Sequence, residues 1–319
     1  MTAPDHEAGN SANDYGEDEI LRATIGGGAA RVVAVSTTGV AREAIRRHDA
    51  TGAAAVVLAR GVTAGLLLAT LTKDEERVTL QLLGDGPLGG VTVDATAAGT
   101  ARAFVKRLAS LPALPPERPR LAAALGTTGV VSVVRDLGLR ESFRGQTAFA
   151  TGEVDEDCER YLTASEQIES ALRCETVLAA DGTLAFAAGI LVQALPGGRG
   201  AAVVAAARER LAAGALRAAI SPSPDAPRDP GSLIESALGE AIGAWNALDA
   251  RPVRFHCPCS RERAGAALAL LGSAELADMI LEDGKAEVTC NFCRARHDFT
   301  EAELERIRRE LEGSAGPPS

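Results

Sequence analysis

The sequence predicts a mixed α+β / α/β fold. An N-terminal sheet-and-helix core domain is expected over 18–196, a helical linker over 197–250, and a small C-terminal cysteine domain over 251–312. Three observations predict this. Short segments of period two, such as Arg77-Val78-Thr79-Leu80-Gln81-Leu82, alternate with apolar segments of helical character in the first part of the chain. The stretch after residue 196 turns alanine-rich and is interrupted by prolines. Four of the six cysteines then collect in two close pairs between 257 and 293. Residues 1–17, polar and acidic, and residues 313–319 are expected to be disordered tails.

The elements follow in order. Ile20–Thr24 leads into the β-branched strand 31–36, and Thr37 or Thr38 is placed to cap a helix through Ala41, Ala44 and Ile45. Gly52–Thr72 has no clean polar face and predicts a helix buried on most sides. Residues 77–82 and 91–94 predict strands around the Gly84-Asp85-Gly86-Pro87 turn. Ala101–Leu108 predicts a short helix, 130–136 a strand after the Leu125–Gly129 turn, and Asp155–Leu172 a helix. The two glycine turns form a weak internal repeat. A phosphate cradle would need a following Lys-Ser/Thr and a helix, which neither has, so plain turns are the expectation. Thr176–Ala180 and Thr183–Ala187 flank Asp181-Gly182 as a hairpin. Ala201–Ile220 predicts one helix, 221–230 a proline-rich linker, and Ser232 the cap of a helix through Ile234, Leu238, Ile242 and Trp245. Alanine gives high helix propensity but little buried area, so this middle segment is expected to be marginally stable. In the last domain, Glu262–Leu271 and a helix capped by Ser273 precede strand 286–289, and Thr300 with Glu303 forms a capping box for a final helix.

Composition bounds the function. A chain of 319 residues can bury a sizeable core, and with 46% hydrophobic but only 3% aromatic residues that core must be built from Ala, Gly, Val and Leu. The net charge of −10 argues against a nucleic-acid partner. No secretory signal opens the chain, and its longest uncharged run, Gly182–Gly198, reads as a buried strand, not a membrane span. A soluble cytoplasmic protein is expected, in which paired cysteines signify metal or redox chemistry.

The pairs are Cys257-Pro258-Cys259 and Cys290-Asn291-Phe292-Cys293, separated by residues 260–289. Cys-x-x-Cys lets two sulfurs face one ion, and two pairs together supply the four thiolates of a tetrahedral zinc site. The alternative, four free buried thiols, fits the paired spacing poorly. Cys-x-Cys with a central proline is unusual for a static zinc ribbon. His256 and His297 flank the cluster; either is a candidate ligand, but the bystander role is expected because the cysteines already fill the shell. Cys158 and Cys174 are read as small buried hydrophobes. A domain of this size needs a staple, and structural zinc contributes roughly 10–16 kcal/mol in finger peptides.

These features together resemble the 33 kDa chaperonin family of redox-regulated heat-shock chaperones, from about Asp18 to Leu311. The motifs that carry the resemblance are Cys257–Arg263, Glu287–Cys293, Tyr161 with Ser165-Glu166-Gln167, and Gly84–Leu88. His297 departs from it, standing where an aromatic is expected. The resemblance implies an ATP-independent holdase, not an enzyme. Its reduced form holds one Zn2+ through Cys257, Cys259, Cys290 and Cys293 and is inactive. Oxidation to the disulfides Cys257–Cys259 and Cys290–Cys293 releases the metal, unfolds the zinc domain and linker, and exposes a surface for unfolded or misfolded client proteins. It also implies a homodimer in the oxidised state, and neither nucleic acid nor membrane as a partner. The 200–250 segment suits such a bistable element.

Three rival readings stand beside it. The first is a non-switching cytoplasmic binding protein with a purely structural zinc module. A zinc enzyme would need an open coordination position, which four cysteines close. Glu166 or Asp136 would be its nominal carboxylates, but hydrogen-bonded surface roles suit them better. A zinc-finger nucleic-acid binder would use Arg294, Arg296, Arg306, Arg308 and Arg309, yet on the last helix the arginines interleave with Glu303, Glu305 and Glu310 as a solvated face does.

Overall fold

The computed structural model describes residues 18–314 except 74–75, 110, 112–117, 137, 139–141, 198 and 221–228. The expected tail 1–17 and the linker prolines before 229 thus lie outside the described residues. The chain forms two compact units that divide between Phe255 and His256.

The first unit opens with the antiparallel pair β1 (Glu19–Ile25) and β2 (Ala30–Ser36). Helix α1 (Thr38–Arg47) follows, but neither threonine caps it. Thr37 Oγ1 pairs with Thr63 Oγ1 at 2.7 Å and Thr38 Oγ1 accepts from the Ala187 amide at 3.1 Å. The free amide of Val40 donates instead to Asp18 Oδ2 at 2.7 Å, so a carboxylate preceding β1 does the capping. Helix α2 (Gly52–Ala69) is buried at every position after Gly52. It is long and apolar enough to cross a membrane, but 94% of it is buried inside the protein, as a core helix is.

Strands β3 (Arg77–Gly84), β4 (Val91–Thr96) and β5 (Thr100–Val105) come next, then α3 (Ala122–Leu125), β6 (Gly129–Asp136), β7 (Phe143–Ala148), α4 (Val154–Ala164), β8 (Ser170–Leu178) and β9 (Leu184–Ala194). Two expectations fail here. Residues 101–105 are strand, not helix: Ala101, Ala103 and Val105 alternate inward and pair with β4, so the period of two overrides alanine's propensity. The helix expected over Asp155–Leu172 stops at Ala164; Gln167 takes a left-handed φ of 56°, and Leu172 belongs to β8. The Asp181-Gly182 hairpin forms as expected, with Gly182 at φ 83° and the Ala179 amide donating to the Thr183 carbonyl at 2.8 Å.

With β10 (Trp245–Pro252) and β11 (Arg254–Phe255), the described strands of this unit make a five-stranded antiparallel sheet, ordered β10-β1-β2-β9-β8, and a six-stranded sheet, ordered β11-β5-β4-β3-β6-β7. Val33, Val35 and Leu191 face the same core as α2 and the six-stranded sheet. Their neighbours Val32, Ala34, Ile190 and Val192 face the opposite way. That second face is covered by α5 (Gly200–Ala212), α6 (Ala215–Ala219) and α7 (Pro230–Leu238), through Val204, Leu211, Leu216, Leu233, Ile234 and Leu238. The expected linker is therefore the lid on one face of a sheet apolar on both sides.

Its details also differ from expectation. The single helix 201–220 breaks at Gly214, which is left-handed. Asp229, not Ser232, caps α7, its Oδ1 accepting from the Ser232 amide at 2.9 Å with Pro230 at the first helical position. Helix does not continue to Trp245. Residues 245–252 form β10, paired with β1, and Arg254–Phe255 form β11, parallel to β5. Arg22 Nε donating to Asp249 Oδ1 at 2.7 Å reinforces the β1–β10 pairing.

The second unit holds α8 (Arg261–Ala269), α9 (Ser273–Glu282), the hairpin β12 (Lys285–Thr289) and β13 (Arg296–Thr300), and α10 (Glu301–Ser314). Gly272, not Ser273, occupies the cap position of α9, at φ 90°. The Thr300 amide donates to Glu303 Oε2 at 2.9 Å, one half of the expected capping box. Gly313 lies within α10, so the helix outruns the expected tail boundary. The buried core is small: Ala264, Leu268, Leu276, Ala286, Phe299 and Leu304.

Candidate metal centre

Cys290 and Cys293 lie in the turn of the β12–β13 hairpin. The Cys290 amide donates to the Ala295 carbonyl and the Arg294 amide to the Cys290 carbonyl, both at 2.9 Å, with Arg294 left-handed at φ 62°. The turn aims the amides of Cys293 and Phe292 at the Cys290 sulfur. Burial alone would raise that thiol, but these amides and the neighbouring thiols leave it below the ordinary range, which favours thiolate. Burial raises Cys259 and Cys293.

Cys257 and Cys259 lie on the loop before α8. Ser260 Oγ accepts from the Arg263 amide at 3.3 Å, and Arg263 Nη1 donates to the Pro258 carbonyl at 3.0 Å, so the helix start fixes the loop. Arg261 stacks 4.6 Å from the centre of the Phe299 ring and pairs with Glu303 at 2.7 Å, tying α8 to α10.

The four sulfurs all lie within 4.8 Å of one another, with Cys257 Sγ 3.7 Å from Cys290 Sγ and Cys259 Sγ 3.1 Å from Cys293 Sγ. Bonds of about 2.3 Å to a tetrahedral zinc would place sulfurs roughly 3.8 Å apart. The donor set and its spacing therefore suit a thiophilic divalent ion. Neither His256 nor His297 belongs to the group. Cys293 is buried and the other three are partly accessible.

The other residues singled out by the sequence have structural places. Cys158 and Cys174 are fully buried in the first unit, and burial, reinforced by Asp155, pushes both thiols up. Glu166 accepts from Tyr161 Oη at 2.5 Å and pairs with Arg135 at 2.9 Å, while Asp136 pairs with Arg77 at 2.8 Å. The two glycine turns bond to each other: Gly86 donates to the Leu125 carbonyl at 3.0 Å and Asp85 Oδ1 accepts from Thr128 at 3.2 Å. A Cβ on Gly86 would sit 2.4 Å from the Leu125 carbonyl carbon, so this is close packing, not a phosphate cradle. On α10, Arg308 pairs with Glu305 and Glu312 as a solvated face does.

Sequence reasoning missed a buried charge cluster. Arg60, fully buried on α2, lies 3.6 Å from Glu153 and 3.9 Å from Glu175. Arg118 joins Asp155 at 2.6 Å and Glu175 at 2.8 Å. Arg217, on α6, reaches Glu175 at 3.8 Å and donates to the Thr176 carbonyl at 3.1 Å, so the cluster also holds the lid. The available signal was Arg60 itself, the one charged residue in the helix.

Comparison with known proteins agrees with this architecture. The family profile described as Hsp33 protein matches residues 18–300. The chain is 39% identical over 298 residues to the 33 kDa chaperonin of Gloeobacter violaceus, covering 92% of this chain and 96% of that protein. It is 35% identical over 294 residues to that of Bacillus velezensis, covering 92% and 99%. The crystal structure of a 33 kDa chaperonin, a heat shock protein 33 homolog, from Thermotoga maritima superposes with a TM-score of 0.75 at 30% identity, covering 93% of this chain and all of that one. On its residues, its fold and its cysteine cluster, the chain belongs to the Hsp33 protein family.

Proposed function

We propose that this chain is a redox-regulated, ATP-independent chaperone that holds unfolding proteins and performs no catalysis. In the reduced state Cys257, Cys259, Cys290 and Cys293 would hold one Zn2+, which when bound supplies a closed cross-link between the 257–259 loop and the 290–293 turn. The observation that carries the reading is this cluster of four thiols in a unit with so small a core. Its stability then rests on the cross-link.

Oxidation removes two electrons from each pair: two thiolates, one peroxide and two protons give one disulfide and two waters. The pairing is Cys257–Cys259 and Cys290–Cys293. The shortest sulfur contacts run across the pairs, but once the unit loosens only the sequence-local partners stay close, because loops of one and two residues close at far lower entropy than loops of about thirty. Disulfides cannot hold the metal, so the second unit opens. The chain is continuous from β10 and β11 into this unit, so its opening leaves the end of the 197–250 segment without a folded neighbour. Release of α5–α7 then uncovers Ala23, Ile25, Val32, Ile190 and Val192 as an apolar surface for unfolded or misfolded clients. The setting is the cytoplasm, where such thiols stay reduced until stress, and the oxidised form is a homodimer. Neither nucleic acid nor membrane is a partner.

Mass mapping after peroxide treatment tests the chemistry. The expected result is one zinc lost per chain, with the disulfides 257–259 and 290–293. Cross-linked Cys257–Cys290 would overturn the pairing. Retained zinc with four free thiols would overturn the switch and leave a purely structural module.

A further inference from the structure

The cysteine switch leaves one motif unexplained, Tyr161 with Ser165 and Glu166. All three line a cavity of about 760 Å3 in the first unit, within the size range of small-molecule sites. Five cations also line it: Arg22 and Arg31 from β1 and β2, Lys73 after α2, Arg135 from β6 and Arg144 from β7. Glu76 and Glu166 are the lining carboxylates, leaving an excess of three positive charges in a chain of net charge −10. Arg135 is matched by Glu166 at 2.9 Å and Arg22 by Asp249. Arg31 and Arg144 instead donate to neutral acceptors, Arg31 Nε to Gln193 Oε1 at 3.0 Å and Arg144 Nε to Ser132 Oγ at 3.2 Å. Burial weakens the charged form of Arg31, and the neighbouring Arg22 weakens it further. A concave wall with surplus guanidinium charge from two different sheets is what a compact polyanion requires, and guanidinium forks match phosphate oxygens.

We propose that this cavity is a binding site for a small ligand carrying two or more phosphate groups, engaged by Arg31, Arg144 and Lys73. The site is separate from the cysteine cluster, and its occupancy does not depend on the redox reading.

The test is titration calorimetry of the full-length reduced protein with inorganic tripolyphosphate in phosphate-free buffer. Parallel arms use citrate, and KCl at matched ionic strength. Saturable one-to-one binding is expected, with a rise in Tm as the ligand stabilises the folded state. Arg31→Gln and Lys73→Gln should each weaken binding about tenfold. Arg309→Gln on α10 should leave it unchanged, which separates a local site from net charge. Lys73 is at the surface, so Lys73→Gln keeps the test valid if Arg31→Gln folds poorly. Equal binding by both cavity variants, or an equal Tm rise in KCl, overturns the site. Citrate binding as tightly as tripolyphosphate overturns the phosphate class.

Discussion

If the lid over the five-stranded sheet is the released element, weakening the lid alone should activate the reduced protein. Leu233 on α7 is fully buried against the sheet face that includes Val32, Ile190 and Val192. Leu233→Ala removes its packing and leaves a cavity, at about 2–5 kcal/mol. That loss falls on the closed lid, so the equilibrium between closed and opened lid shifts by about 30-fold to several thousand-fold, at roughly 1.4 kcal/mol per tenfold. Hydrogen exchange should show faster opening of amides in 200–219 and 230–238 than in β3 and β4. Zinc-loaded reduced Leu233→Ala should then suppress client aggregation without oxidant. Leu80→Ala, equally buried but in the six-stranded sheet, is the control: it should lower Tm without adding holdase activity. The reasoning is refuted if the lid and the six-stranded sheet lose protection together, or if Leu233→Ala opens the lid and still holds no client.

Other perturbations have expected outcomes. Cys293→Ser or chelation should remove exchange protection from 256–314 and from the lid over 200–219 and 230–238 while β3 and β4 stay protected, because roughly 10–16 kcal/mol of metal-linked stability exceeds what that small core supplies. Asp155→Asn should destabilise the first unit by about 3–5 kcal/mol at neutral pH in thermal melts, by leaving buried arginines short of a partner. Burial would raise the Asp155 carboxyl, but Arg118, Arg173 and Arg60 hold it below the ordinary range. Its contribution is therefore present above the unfolded value near 4 and lost as pH falls through the folded value, so the difference between wild type and variant should shrink below about pH 4. Gly65→Ala should cost about 1–3 kcal/mol in denaturant unfolding, since its Cβ would sit 2.6 Å from Val93 Cγ1 where α2 crosses β4.

The cysteine cluster was legible in the sequence because its geometry is local: two residues fix one turn, one residue fixes one loop, and a hairpin and a helix cap hold them. The buried helix α2 was legible from composition, and the 181–182 hairpin from its Asp-Gly turn. What was illegible depends on distant partners. Trp245–Pro252 lacks alternation because β10 is an edge strand, exposed along most of its length and held by its register with β1. Residues 101–105 alternate, but alanine hid the pattern. In the sequence the lid looks like a linker because its prolines and alanines mark weak intrinsic structure. Only the two-sided burial of β2 and β9 shows what those alanines cover. Asp18 as the cap of α1, and the cations of the cavity, are brought together by strands far apart in sequence.

Light scattering from a chemically unfolded client tests the central claim most directly, comparing zinc-loaded reduced protein with protein oxidised by peroxide under mild heat or by hypochlorite. The account predicts that only the oxidised form suppresses aggregation, and that reductant with zinc restores the inactive state. Equal behaviour of the two forms, with zinc still bound after oxidation, would contradict it.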